Sequence, residues 1–267
     1  MTNNLLEDVA KTTLVEVGKD LAQPGAKQLG RAGASVGRWV AAFCGKLDKY
    51  SAKMEAENKA AIDAIEKHYN NIPEEFRVHP NPRITHNAEQ AFFLSTGQPD
   101  LQKLFVNLIK SSCDSRTARG VLPSFVSIIE QLTPDEAKML RQLLTSDYLY
   151  QFPVITIRSD YQDSSKGGLD VTGLITPLYW KSGCEFPQNG PVYLDNLQRL
   201  QLIDVDMMKH FTNLELYKEI EEMPEVKKIV SDINTTPQRK ARFVRGIIRL
   251  TNYGKALCEA CKIRDIA

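Results

Sequence analysis

The sequence predicts a mainly α-helical chain whose C-terminal part is a winged-helix-like α+β module, and three features carry that expectation. Apolar residues recur every three or four positions through most of the chain up to residue 145, the spacing that lines one face of a helix. The β-branched run FPVITI at 152–157 then breaks that period. Near the end, RGIIRL alternates basic and apolar side chains, as a strand requires, ahead of a helix that Thr251 or Asn252 can open. The organisation expected is a small-residue helical segment over 1–46, a helical domain over 47–131 and the winged-helix-like domain over 132–267.

The first segment begins with an amphipathic helix over 1–22, where Leu5, Val9, Leu14, Val17 and Leu21 share a face before the Gln23-Pro24-Gly25 break. Residues 25–45 then place Gly30, Gly33 and Gly37 among alanines, a small-residue face that lets two helix backbones approach closely and marks these glycines as candidates for helix association. Arg38 interrupts the apolar stretch from Ala32 to Cys44, which falls short of the roughly 20 residues of a membrane span. A peripheral or oligomerised membrane helix and a tight soluble hairpin both fit. The same stretch holds a GxSxG at 33–37, but no strand precedes it, so it lacks the setting of a hydrolase nucleophile.

Residues 46–70 predict a long helix with one apolar side. FRVHPNPRITHNAEQ follows as an extended connector, with Thr85 or Asn87 capping a helix over about 87–95, and a further helix covers 99–113. After Pro123, FVSIIEQL gives another. The next helix has the clearest start: Thr133 can accept from the amide three residues on, Glu136 can reach back to the cap amide, and Pro134 has no amide to satisfy. PDEAK superficially resembles the acidic residues and lysine of magnesium nucleases. All of them fall in one helical turn, whereas metal chemistry needs carboxylates converging from separate elements, so capping is the sufficient explanation.

Beyond the 152–157 strand, DYQDSSKGG reads as a flexible turn, 191–200 as a helix that exits through Leu202-Ile203, and 212–233 as acidic helices. In the last strand Phe243, Arg245, Ile247 and Arg249 share one face and Val244, Ile248 and Leu250 the other.

Composition narrows the function. With 42% hydrophobic and 25% charged residues the chain can bury a core, and its net charge of +1 argues against a protein that coats nucleic acid. The charge is nonetheless uneven, because residues 237–267 carry eight Lys or Arg against Glu259 and Asp265. Five cysteines without regular spacing, and no secretory signal, predict reduced thiols in the cytoplasm. Cys258 and Cys261 form a CxxC with no second ligand pair, which favours packing over zinc or redox work. His79 and His86 lie on non-helical backbone without a convincing ligand set, and no histidine has an arginine four to six residues upstream as one class of ribonuclease requires. Neither metal nor cofactor is expected.

LAQPGAKQLGRAGASVG, KHYNNIPEEFRVHPNPRI, LQKLFVNLIKSSCDS, LPSFVSIIEQLTPDEAKMLRQL, and YLDNLQRLQLI with RGIIRLTNYGKALCEAC together resemble the abortive-infection alpha (Abi-alpha) family, a bacterial domain of largely uncharacterised function. The resemblance covers nearly the whole chain and implies a role in defence against phage, without catalytic residues to transfer. A non-enzymatic protein is therefore expected, acting through a protein partner, self-association or peripheral membrane contact. The alternative is a DNA-binding regulator contacting phosphates through Arg199, Arg239, Lys240, Arg242, Arg245 and Arg249.

Overall fold

Helices α1 (Ala52–Asn71), α2 (Pro82–Leu94), α3 (Pro99–Ser112) and α4 (Ser124–Ile129) form the first part of the fold in a computed structural model that describes residues 52–265. The helix expected over 1–22 and the glycines Gly30, Gly33 and Gly37 lie outside the described residues. Helix α2 begins earlier than the sequence reading places it. Asn81, rather than Thr85 or Asn87, is the cap: its side chain accepts from the Arg83 amide at 3.0 Å, and Pro82 occupies the first helical position. A proline there gives up no hydrogen bond and its ring presets the helical φ. Thr85 is consequently a buried interior residue.

Helix α5 (Pro134–Leu144) starts with the expected capping box. The Thr133 hydroxyl accepts from the Glu136 amide at 3.2 Å, and the Glu136 carboxylate accepts from the Thr133 amide at 2.6 Å. Strand β1 (Gln151–Tyr161) is longer than the six residues expected. It extends because β4 (Arg239–Leu250) pairs with it along its whole length, from Gln151 opposite Arg249 to Tyr161 opposite Arg239. Between them come β2 (Gly168–Asp170), α6 (Leu178–Lys181), α7 (Gly190–Arg199), β3 (Ile203–Asp206), α8 (Glu215–Glu221) and α9 (Pro224–Thr235). Helix α10 (Asn252–Ala260) follows β4, capped by Thr251, whose hydroxyl accepts from the Gly254 amide. All four strands pair antiparallel in the order β2-β1-β4-β3.

Two close passages set how the chain enters and leaves β3. Helix α7 ends with Gln201 at φ 59°, and the Gln201 and Leu202 amides return to the carbonyls of Gln198 and Leu197. That hydrogen-bond pair is a Schellman ending, which turns the chain sharply toward the sheet. At Gly254 a Cβ would lie against the Leu202 carbonyl, so only glycine lets α10 sit this close to the segment leading into β3.

The sheet separates two apolar clusters. The larger joins Phe105, Leu108 and Phe125 of the first four helices to Leu140, Leu143, Leu194, Leu257, Phe152 and Ile248, and it runs without interruption across residue 131. The smaller lies on the other sheet face, where Ile155 and Ile157 of β1 meet Tyr217, Ile220, Val226 and Ile233 of α8 and α9.

Two buried carboxylates connect α5 to α7. Asp135 accepts from the Glu185 and Phe186 amides at 2.8 and 2.9 Å, from the Tyr193 hydroxyl at 3.3 Å and from Lys138 at 3.2 Å. Glu136 accepts from the Asn196 side-chain amide at 2.7 Å with its second oxygen. Burial pushes the Asp135 carboxyl up, but the two backbone amides and the Lys138 ammonium together outweigh it and hold the group below its ordinary 3.8.

Replacing Asp135 with alanine strands two buried amides and the Tyr193 hydroxyl, and is expected to cost about 3 kcal/mol in urea unfolding at pH 7. Because the folded carboxyl is depressed, the part of this cost that depends on its charge is complete above pH about 4 and is lost as pH falls through the folded value. The gap between wild type and Asp135→Ala should therefore narrow in acid. A gap that persists unchanged at pH 2 contradicts the assignment.

Candidate functional site

Strand alternation gives the β1–β4 ribbon two chemically different faces. Ile155 and Ile157 on β1, with Ala241, Phe243 and Arg245 on β4, point toward α8 and α9. Thr156, Arg158 and Asp160, opposite Val244, Arg242 and Lys240, point the other way. The base of that second face, at Phe152 and Ile248, packs into the main core, whereas its outer half is uncovered and lines a recess of about 790 Å³. The turn at 161–167, Asp170 and Met207 complete the walls.

Charge in the recess is ordered by hydrogen bonds. Arg158 donates to Asp160 at 2.8 Å, to Asp170 at 3.2 Å and to the Gly168 carbonyl at 2.7 Å. The other oxygen of Asp160 accepts from Nε of Arg242. That bond to Arg242 is the main influence holding the Asp160 carboxyl below its ordinary value; burial opposes it and Arg158 adds to it. Gly168 makes the arrangement sterically feasible, because a Cβ there would collide with the Asp160 carboxylate and backbone.

The six residues expected to contact phosphates do not form one surface. Lys240 and Arg242 share the recess. Arg245 lies on the covered face, where its Nε donates to Glu221 at 2.6 Å and its guanidinium lies 5.8 Å from the Tyr217 ring centre. Arg239 stacks on Tyr161 at 3.5 Å and donates to the Ser159 carbonyl. Arg249 is paired with Asp204 of β3 at 2.6 Å. Arg199 donates to Asn196 and Gln131, on the side of α7 that faces the α4–α5 junction. Only the Lys240 side chain, among these six, has no hydrogen-bond or ion-pair partner among the described residues.

Helix α7 buries Tyr193, Leu194 and Leu197, engages Asn196 and Arg199 internally, and leaves Val192 66% exposed beside exposed Asp195. Sequence reasoning missed Arg158, Asp160 and Asp170. The signal was the RSD at 158–160, which puts arginine and aspartate on one strand face once the strand is known to continue.

Cys258 and Cys261 are both buried in the main core. Burial pushes the Cys258 thiol up to about 12 and raises that of Cys261 as well. His79 sits beside its neighbouring Pro80 carbonyl and His86 beside Gln90. Among the described residues, no three His, Cys, Asp or Glu side chains are grouped to hold a metal ion, and no helix is long and apolar enough to cross a membrane.

The family model described as "Abortive infection alpha" matches residues 52–261, from the start of α1 to just past α10. The chain belongs to the abortive infection alpha family. No curated protein matches it. Among solved structures, an uncharacterized protein from the hydrocarbon-degrading marine bacterium Alcanivorax borkumensis SK2 is similar at 19% identity, with 52% of this chain and 96% of that chain covered and a TM-score of 0.36.

Two outcomes follow from the placement of these residues in the abortive infection alpha fold. Arg245→Gln should lower unfolding stability by about 1–2 kcal/mol, the scale of a half-buried charged hydrogen bond, and leave any salt dependence of duplex retention unchanged. Unaltered stability with weaker duplex retention would reverse that assignment. Iodoacetamide at pH 8 should leave Cys258 and Cys261 unmodified in the native protein and alkylate both in urea, as read peptide by peptide; rapid native labelling of either contradicts a packing role.

Proposed function

We propose that this protein is a non-enzymatic abortive-infection defence protein that works by association, with a winged-helix-like C-terminal module serving as a docking and sensing platform. Membership of the abortive infection alpha family supports the biological setting. The observation that carries the mode of action is the internal pairing of the basic strand. Arg242 is matched by Asp160, Arg245 by Glu221 and Arg249 by Asp204, so half of the six cations that suggest a nucleic-acid surface are compensated within the fold. A free basic stripe along β4, which phosphate tracking needs, is thereby broken up.

The winged-helix-like frame is supported by strand order. Helix α5 precedes β1, helices α6 and α7 follow it, and β4 lies between β1 and β3, with α8 and α9 inserted where a wing would turn. This same order, with Lys240 free at the ribbon, is what favours the second reading, a DNA-binding regulator. Partner choice in the leading reading falls to the exposed face of α7 and to the segment holding Gly30, Gly33 and Gly37.

The experiment compares phage plaque formation, growth and membrane-potential dye signal in cells expressing the full chain, Gly33→Leu, or a chain lacking residues 1–45. Reduced plaque formation with the full chain, lost in both variants, supports association through the small-residue segment. Unchanged growth, potential and plaque formation under phage challenge would sink the defence reading. Retention of a duplex with a steep salt slope in gel shifts would instead establish the regulator.

A further inference from the structure

The recess between β1 and β4 combines volume, unspent hydrogen-bond donors and a defined charge excess. Its size lies within the roughly 300–1,000 Å³ of small-molecule sites. Three cations face it, Arg158, Lys240 and Arg242, against two carboxylates, Asp160 and Asp170, so one positive charge is left over. The excess has an address. Arg158 is spent on Asp160, Asp170 and the Gly168 carbonyl, while the Lys240 ammonium is unpaired. Arg242 is anchored to Asp160 through Nε alone, which leaves its two terminal nitrogens free of hydrogen bonds among the described residues. Lys240 and Arg242 are two residues apart on one strand, roughly 7 Å along it and on the same face. A point charge beside a pre-oriented guanidinium fork suits a tetrahedral oxyanion.

The rest of the recess narrows the ligand. The carboxylates of Asp160 and Asp170, both engaged with Arg158, keep acceptor capacity for hydroxyl groups, since each carboxylate oxygen has two lone pairs. They also repel a second phosphate, which disfavours polyphosphates and a nucleic-acid backbone running through the recess. Met207 and Val244 supply apolar wall against which a carbon ring can rest. We propose that this recess binds a small phosphate monoester carrying adjacent hydroxyls, with the phosphate on Lys240 and Arg242 and the hydroxyls on Asp160 and Asp170. The site is independent of the defence reading, since it depends only on the β1–β4 ribbon and β2.

Titration calorimetry of the full chain at low ionic strength with ribose 5-phosphate, inorganic phosphate, ribose and a short DNA duplex tests this. Ribose 5-phosphate should bind more tightly than inorganic phosphate, and ribose should not bind measurably. Lys240→Gln and Arg242→Gln should each weaken ribose 5-phosphate roughly tenfold to a hundredfold, the loss of a charge-assisted hydrogen bond. Lys240 supports no part of the fold, so Lys240→Gln should melt at the wild-type temperature, which separates lost binding from lost structure. Asp170→Asn should weaken ribose 5-phosphate while leaving inorganic phosphate unaffected. Four results overturn the proposal: no binding of either phosphate, equal affinity for both, an undiminished affinity in Lys240→Gln, or displacement of ribose 5-phosphate by the duplex.

Discussion

The buried carboxylates of Asp135 and Glu136 are the constraint on which the rest of the architecture depends. They stand side by side in the first turn of α5, where the helix dipole and unpaired amides favour negative charge. Each spends its oxygens outside its own helix as well: Asp135 on the chain just before α7, Glu136 on Asn196 within α7. Taking two charges out of water is costly unless every lone pair that faces protein finds a donor. That requirement makes the tie between α5 and α7 directional, because only one position of the 183–186 loop delivers both amides to Asp135. With α7 placed, its Schellman ending aims Leu202 at β3, and β3 meets β4 in a single register.

Strand β4 then organises the second half. It is shared by β1 and β3, and its two faces serve different cores. A shift of one residue in its pairing with β1 would exchange those faces, driving Lys240 and Arg242 under α8 and α9 and exposing Phe243. The ion pairs work against that shift. Arg245 reaches Glu221 only from the covered face, and Arg242 reaches Asp160 only from the open one. As exposed or half-exposed pairs they add modest stability. Their stronger effect is on specificity, since a slipped register would take Arg245 away from Glu221 and bury Arg242 without Asp160.

Local signals made part of this fold legible. Thr133, Pro134 and Glu136 declared the start of α5 from four consecutive residues, and Thr251 opened α10 as its hydroxyl chemistry requires. The apolar face of α3 was visible for the same reason, since Leu101, Leu104, Phe105, Leu108 and Ile109 are near neighbours in sequence. What escaped was set by distant partners. Arg158 and Ser159 fall outside the expected strand, and Asp160 and Tyr161 read as the start of a flexible turn because aspartate is poor in strands, yet β4 holds all four extended. The early start of α2 escaped for a local reason: Asn81-Pro82 fits both an extended connector and a capped first turn, and packing of Ile84 and Thr85 into the core selects the second.

The same distinction governs the candidate site. A tail rich in arginine invites a nucleic-acid reading when charges are summed along the sequence, but electrostatics acts in space. Asp160, Asp204 and Glu221 come from three elements remote from the tail in sequence and meet it one arginine at a time. Three of the five cations on β4 are therefore compensated, and the uncompensated charge lies at the outer end, at Arg239 stacked on Tyr161 and at Lys240 beside the half-spent Arg242. Such a pattern suits a single anionic group held in a walled space better than a long polyanion, which gains by many evenly spaced contacts. The fold has thus broken a diffuse compositional bias along β4 into paired arginines and a short basic stretch at the strand's outer end, a conversion made by the carboxylates that β1, β3 and α8 place beside β4.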